Sequence, residues 1–138
     1  MLTLGSKSHY GLKALLYLAE HSANGPLQIK DIAASRHIPQ NYLEQIFNQL
    51  GKANIVRSFR GKNGGYKLAG DPGDITVKDI ILLLEGGIDL VPNGAESADA
   101  LNAMLQKAQE CLLATLTVSL ADLLARQRLQ QDVVMFDI

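Results

Sequence analysis

"PQNYLEQIFNQLGKANIVRSFRGKNGGYKL", Pro39 to Leu68, changes its apolar period halfway along. In the first half Tyr42, Leu43, Ile46, Phe47 and Leu50 recur at three- and four-residue spacing, the period of an amphipathic helix, and Pro39 opens it from the first-turn position that proline favours. In the second half Ile55 and Val56, then Tyr66 and Leu68, make two short β-type runs joined by "GKNG", which predicts a hairpin. The polar face of the predicted helix reads Gln40, Asn41, Glu44, Gln45, Asn48, Gln49 and Lys52. Exposed helix positions are more often Glu and Lys. Amides and a carboxylate are the side chains that pair with adenine and with the cytosine amino group in a major groove.

Upstream, "QIKDIAASRHI" offers Ile29, Ile32 and Ala33 as the buried face of a shorter helix, and "SRH" reads as a compact turn. A short helix, a turn and a second helix with a readable polar face form a helix-turn-helix pattern, over about residues 28–52. Before it, "YGLKALLYLAEH" sets Leu12, Leu15, Leu16 and Ala19 on one stripe with Leu18 alongside, and "NGP" at Asn24 to Pro26 ends that helix. After it, Arg57 to Leu68 carries four cations and three glycines around Phe59 and Tyr66. A hairpin here, over about 55–69, is a wing. Gly61, Gly64 and Gly65 permit positive φ and close backbone approach to phosphate, and Arg60 at the tip suits a narrow minor groove. The spacing fits neither G-x-x-x-x-G-K-[ST] nor a strand followed by G-x-G-x-x-G, which argues against a nucleotide loop.

Charge divides the chain in the same place. Residues 1–70 hold nine Lys/Arg against Glu20, Asp31 and Glu44, and residues 71–138 hold four against eleven acids, although the net charge is only −1. Local field steers a polyanion, so the basic half is expected to meet double-stranded DNA while the acidic half does something else.

The runs "YGLKALLYLA", "IKDIAASRHIPQNYLEQIFNQLGKANIVRSFRGKNGGYKLAGDPGDITVKDIILLLEG" and "VSLADLL" resemble the IscR, NsrR and CymR-type family of bacterial winged-helix transcriptional regulators, from Leu4 to about Leu124. The resemblance implies a mainly α fold with a small β wing, a DNA-binding region over residues 1–72, and a helical dimerisation and effector region over 73–138. It implies base reading by Asn41, Glu44 and Gln45, Arg60 in the minor groove, and Ser6, Lys7, Tyr10 and Tyr42 near phosphates; Gln40 on the polar helix face and Arg57 and Lys62 in the basic hairpin are further candidate DNA contacts, Lys62 to a phosphate. It also implies a homodimer on a near-palindromic operator, with repression by promoter occlusion, and leaves room for an unidentified effector or partner protein.

In the acidic half, "DITVKDIILLLEGG" reads as a helix capped by Thr76 and closed by Gly86 and Gly87. A long helix is expected from Ser97, with Leu101, Met104, Leu105, Ala108 and Leu112 as a stripe that pairs with its copy. "SLAD", Ser119 to Asp122, has capping-box spacing for a short last helix. Cluster-binding members of the resembled family place three cysteines between these helices, where this chain has none, so no cofactor is expected. Cys111 reads as a small buried hydrophobe, with a redox sensor or a ligand shared across the dimer as the alternatives. Asp89, Glu96 and Asp99 are scattered loop carboxylates, better read as solvated than as a metal site.

His9, His21 and His37 fall in separate elements without a metalloprotease or nucleophile motif, so an enzyme is not expected. His37, in the turn, suits a backbone or phosphate contact. A single cysteine excludes an intramolecular disulfide, and the absence of a signal-like start or a long apolar run predicts a cytoplasmic chain with no membrane partner. The other readings are a winged module that binds a partner protein, against which the amide-rich face argues, and an RNA binder, against which the lack of solvent-facing aromatic pairs argues.

Overall fold

The computed structural model describes residues 2–91 and 99–136. In order along the chain these form α1 (Ser6–Glu20), α2 (Ile29–Arg36), α3 (Gln40–Lys52), β1 (Val56–Phe59), β2 (Gly65–Leu68), α4 (Val77–Glu85), α5 (Ala100–Thr115) and α6 (Leu120–Phe136). The fold is a winged helix-turn-helix followed by a helical C-terminal part.

The period of α3 is realised as read, with Leu43, Ile46, Phe47 and Leu50 wholly buried and Tyr42 half-buried. Around them pack Leu15 and Leu18 of α1, Ile32 and Ala33 of α2, Ile80 and Leu84 of α4, and Leu120 of α6, in one core. Residues beyond 73 therefore share one core with the helix-turn-helix. The approach of α1 to α4 is close enough that a Cβ on Gly11 would lie 2.6 Å from Leu84 Cδ1. This fixes the buried face of α1 as Gly11, Ala14, Leu15, Leu18 and Ala19, while Leu12 and Leu16 of the predicted stripe are half-buried at its edge. The helix also begins four residues before Tyr10, the start that its apolar spacing suggests.

Three smaller features differ from the sequence reading. Ser35 and Arg36 continue α2, and the turn is made by His37, which adopts the left-handed conformation at φ 56 and caps the helix. Histidine tolerates that region better than bulky or branched residues do. Pro39 precedes the first helical turn as the N-cap residue, because its ψ of 127 is extended. The last helix is long, at 17 residues: the Asp122 amide donates to Ser119 Oγ at 3.0 Å and the Ser119 amide to Asp122 Oδ2 at 3.3 Å, a complete capping box.

The wing is an antiparallel pair with Val56 opposite Leu68, Arg57 opposite Lys67, Ser58 opposite Tyr66 and Phe59 opposite Gly65. It is tied to the chain ahead of α2 by two backbone bonds, Leu27 N–H to Tyr66 O at 3.0 Å and Tyr66 N–H to Leu27 O at 2.7 Å. Tyr66 then packs edge-on against Phe47 of α3, 4.9 Å between ring centres.

Thr76 caps α4 by accepting from the Asp79 amide, and Gly86 ends it in the left-handed conformation. Its next two orphan amides are satisfied from outside the helix: Val77 N–H donates to Val118 O at 2.8 Å and Lys78 N–H to Leu116 O at 2.9 Å. The link between α5 and α6 is thereby sewn onto the start of α4. Helix α5 is capped by Asp99, which accepts from the Asn102 amide; Ser97, the start read from the sequence, lies outside the described residues. It buries no side chain at all: Leu101 and Met104 are each 60% exposed and Leu112 is 41% exposed. Cys111, expected in a core, is exposed on this helix, where Leu101 and Met104 of the neighbouring stripe are also left uncovered among the described residues.

Candidate nucleic-acid interface

Three elements carry the residues singled out by the sequence. On α3, Gln40, Asn41, Glu44, Gln45, Asn48 and Lys52 are all exposed, on the side opposite a fully buried face. Gln40 Nε2 donates to Glu44 Oε1 at 3.4 Å, so neighbouring turns of the polar face steady each other. Gln49 is the exception. It is half-buried, and its Nε2 donates to the Leu83 carbonyl at 3.2 Å, which turns it towards α4 and away from the polar face.

At the start of α1, Ser6 is exposed and Lys7 half-buried. Ser6 Oγ and Tyr42 Oη are 3.4 Å apart, and the Tyr10 and Tyr42 rings meet edge to face at 5.8 Å, so the first turn of α1 is held against the first turn of α3. Ser6, Lys7, Tyr10 and Tyr42 are thus brought together at the N-terminal end of α3. Free first-turn amides and the positive end of the helix dipole make such an end an anion site.

The wing supplies the third surface. Arg57, Phe59, Arg60 and Lys62 are exposed. Strand alternation puts Arg57 and its cross-strand partner Lys67 on the face opposite buried Val56. Lys67 was not singled out by sequence reasoning, and the register places it beside Arg57. Two like charges directly opposite each other repel, a cost that an intervening anion removes. A cleft of about 410 Å³ between α3 and β1 is lined by Asn48, Lys52, Asn54, Arg57 and Ser58. The loop back is compact: Gly64 is buried, and a Cβ there would overlap the Phe59 carbonyl. His37 is exposed in the turn, with no resolved contact that gives it a separate role.

A second residue that no sequence signal marked is Glu85, the last of α4. Its Oε1 accepts from the Gly5 amide at 2.8 Å and from the Ser8 hydroxyl at 2.7 Å. Its pKa is lowered by the Ser8 bond first, then by the Gly5 amide and by Lys7, so the carboxylate is charged at neutral pH. A depressed folded-state pKa contributes stability at neutral pH that is lost as pH falls through that lowered value.

Among the described residues no group of three or more His, Cys, Asp or Glu side chains is placed to hold a metal ion. Asp89 Oδ1 accepts from the Val91 amide and Asp99 caps α5, while Glu96 lies outside the described residues. No helix is long and apolar enough to cross a membrane among those residues.

A family model named Rrf2 and described as an iron-dependent transcriptional regulator matches residues 4–133. A Synechocystis sp. relative, provisionally named an HTH-type transcriptional regulator, is 38% identical over 128 residues, 88% of this chain and 87% of its own. The Bacillus subtilis regulator CymR is 40% identical over 90 residues, 65% of each chain, and its solved structure superposes with a TM-score of 0.83 over 91% of this chain and 98% of its own. The structure of T. potens IscR superposes with a TM-score of 0.80 at 36% identity, over 91% of this chain and 88% of its own. The chain spans about half the length of the curated IscR relatives it matches, 51% in the case of Photobacterium profundum. The family description names iron, but the donor set of this chain does not fit a thiolate-held cluster: its single cysteine is Cys111, on an exposed face of α5.

Proposed function

The chain belongs to the Rrf2 family of transcriptional regulators, and from that premise we propose that it is a sequence-specific, homodimeric DNA-binding repressor. The observation that carries the reading is the exposed face of α3, where Gln40, Asn41, Glu44 and Gln45 are open to solvent on a helix whose other side is closed into the core. In this reading α3 lies in a major groove, with Asn41, Glu44 and Gln45 on base edges and Gln40 orienting Glu44. The α1 start, with Ser6, Lys7, Tyr10 and Tyr42, grips the phosphate chain. Arg60 enters the flanking minor groove. Arg57, Lys62 and Lys67 line the backbone on either side.

Residues 1–72 supply the DNA contacts and 73–138 the dimer, which pairs α5 with its copy through Leu101, Met104 and Leu112. Support comes from the apolar exposure of that helix in the single chain. Two-fold symmetry then matches a near-palindromic operator, and occupancy of a promoter represses it. A regulator of chromosomal DNA works in the cytoplasm, and its relatives are regulators rather than enzymes.

The test is DNA binding by the full chain to duplexes recovered from a randomised pool. Arg60→Ala should weaken specific binding by about 1–3 kcal/mol and relax preference at the wing position. Lys62→Ala should weaken all sequences alike and lower the salt slope by about one. If both bind as the parent does, the wing does not contact DNA.

We also propose that this regulator carries no iron–sulfur cluster, since residues 86–108 contain no cysteine and one thiolate per chain gives two per dimer. Protein purified without oxygen should be colourless and bind its operator equally well before and after chelation. An iron chromophore at visible wavelengths would sink this reading. Reversible loss of DNA binding on oxidation, absent in Cys111→Ser, would instead make Cys111 a redox sensor.

A further inference from the structure

Helix α1 lacks a cap of its own. Gly5 stands at the N-cap position and has no side chain to accept from the first-turn amides. In a capping box the residue three places into the helix reaches back to accept the N-cap amide. Here that residue is Ser8, which instead donates its hydroxyl, and the acceptor for both Ser8 and the Gly5 amide is Glu85, eighty residues away in sequence. One carboxylate oxygen therefore closes the α1 start against the end of α4. The fit is tight: a Cβ on Gly5 would lie 2.9 Å from Glu85 Oε1.

Resting on the DNA-binding reading above, we propose that Glu85 is a positioning residue for DNA binding, the borrowed cap that holds the α1 start, with Ser6 and Lys7, against Tyr42 and at the level of the phosphate chain. Ser6 and Lys7 are the first two residues of α1, and Ser6 reaches Tyr42 at 3.4 Å. Glu85 is followed at once by Gly86 and Gly87, both at positive φ (80 and 129). It also lines an apolar cleft of about 530 Å³ with Leu4, Ile81, Ile88, Leu90 and Leu112. Whatever displaces the chain after α4 pulls first on this carboxylate, and through it on the phosphate grip.

The sign of the effect separates positioning from charge. An anion beside a DNA-binding surface repels phosphate, so simple electrostatics makes Glu85→Ala bind DNA more tightly. Positioning makes it bind more weakly. The full-length protein, Glu85→Ala and Glu85→Gln are titrated against a selected duplex and a random-sequence duplex of equal length, across a series of potassium chloride concentrations. Glu85→Ala should weaken both duplexes by the same factor, about five- to tenfold near physiological salt, and lower the salt slope by about one, the signature of one lost phosphate contact. Glu85→Gln keeps an acceptor oxygen without the charge and should recover most of the affinity and slope.

Affinity of Glu85→Ala equal to or above that of the parent overturns the proposal, as does a glutamine variant no better than alanine. Should circular dichroism find Glu85→Ala unfolded, Ser8→Ala removes one of the two bonds and leaves the charge. It must then show a smaller loss of the same kind, and parental binding by it overturns the proposal equally. A parent chain that binds neither duplex brings down the DNA-binding reading and this inference with it, whereas a binding parent with an unaffected Glu85→Ala brings down this inference alone.

Discussion

Leu101→Glu combined with Met104→Glu should turn the protein into a folded monomer whose operator affinity is lower by roughly 10²–10⁴-fold, the usual advantage of linking two binding modules. Both side chains are 60% exposed and α5 buries nothing in the single chain, so the substitution removes no contact of the subunit's own core. The thermal melt of a monomeric variant should then no longer depend on protein concentration, as the parent's should. Sedimentation velocity reads the oligomeric state and a mobility shift reads the affinity. A double variant that still sediments as a dimer would move the two-fold interface elsewhere, with the protruding part of α6, where Leu129 and Val133 are also exposed, next in line.

Gly65→Ala should cost about 2–5 kcal/mol, combining strain at a forbidden φ with the loss of two backbone bonds. Gly65 has φ 147, and a Cβ there would overlap the carbonyl of Leu27. Since Leu27 and Tyr66 exchange both of the bonds that fasten the wing, the hairpin should swing off and take Tyr66 away from Phe47. Urea unfolding should show a lowered midpoint, and DNA binding should lose the contribution of Arg60 and Lys62 together. An unchanged midpoint would mean that the chain at Leu27 yields, and that the wing is held by side-chain packing alone.

What was legible from sequence follows from how local its cause is. The α3 stripe, the hairpin runs, the Thr76 cap and the Ser119–Asp122 box are each decided within a few residues, and each is found in the structure. The α1 start is missed because its cap comes from Glu85, which no spacing rule connects to Gly5. Gln49 looks like its amide neighbours in the one-dimensional pattern, but a carbonyl of α4 claims it. Periodicity correctly marks α5 as amphipathic yet says nothing of what covers the stripe, so Cys111 reads as buried when its own chain leaves it open. The length of α6 is hidden because, between Leu124 and Val133, only Ala125 and Leu129 are apolar, too few to mark a stripe. Of the candidate site, the α3 face and the wing tip are readable, whereas Lys67 needs the strand register and Glu85 needs the tertiary contact.

The backbone seam between α4 and the chain at Leu116 and Val118 bears on how such a regulator can diverge. In the proposed dimer it joins the arm that would carry the two-fold axis to the body that holds α3 and the wing, and it does so through peptide groups that every residue except proline possesses on the donor side. Side chains of α5 that lie off the Leu101, Met104 and Leu112 stripe are therefore free to drift without altering that joint. On the proposed reading, such drift changes the surface of α5 and leaves the operator spacing as it was. Proline at position 77 or 78 is the kind of change that would break that inheritance.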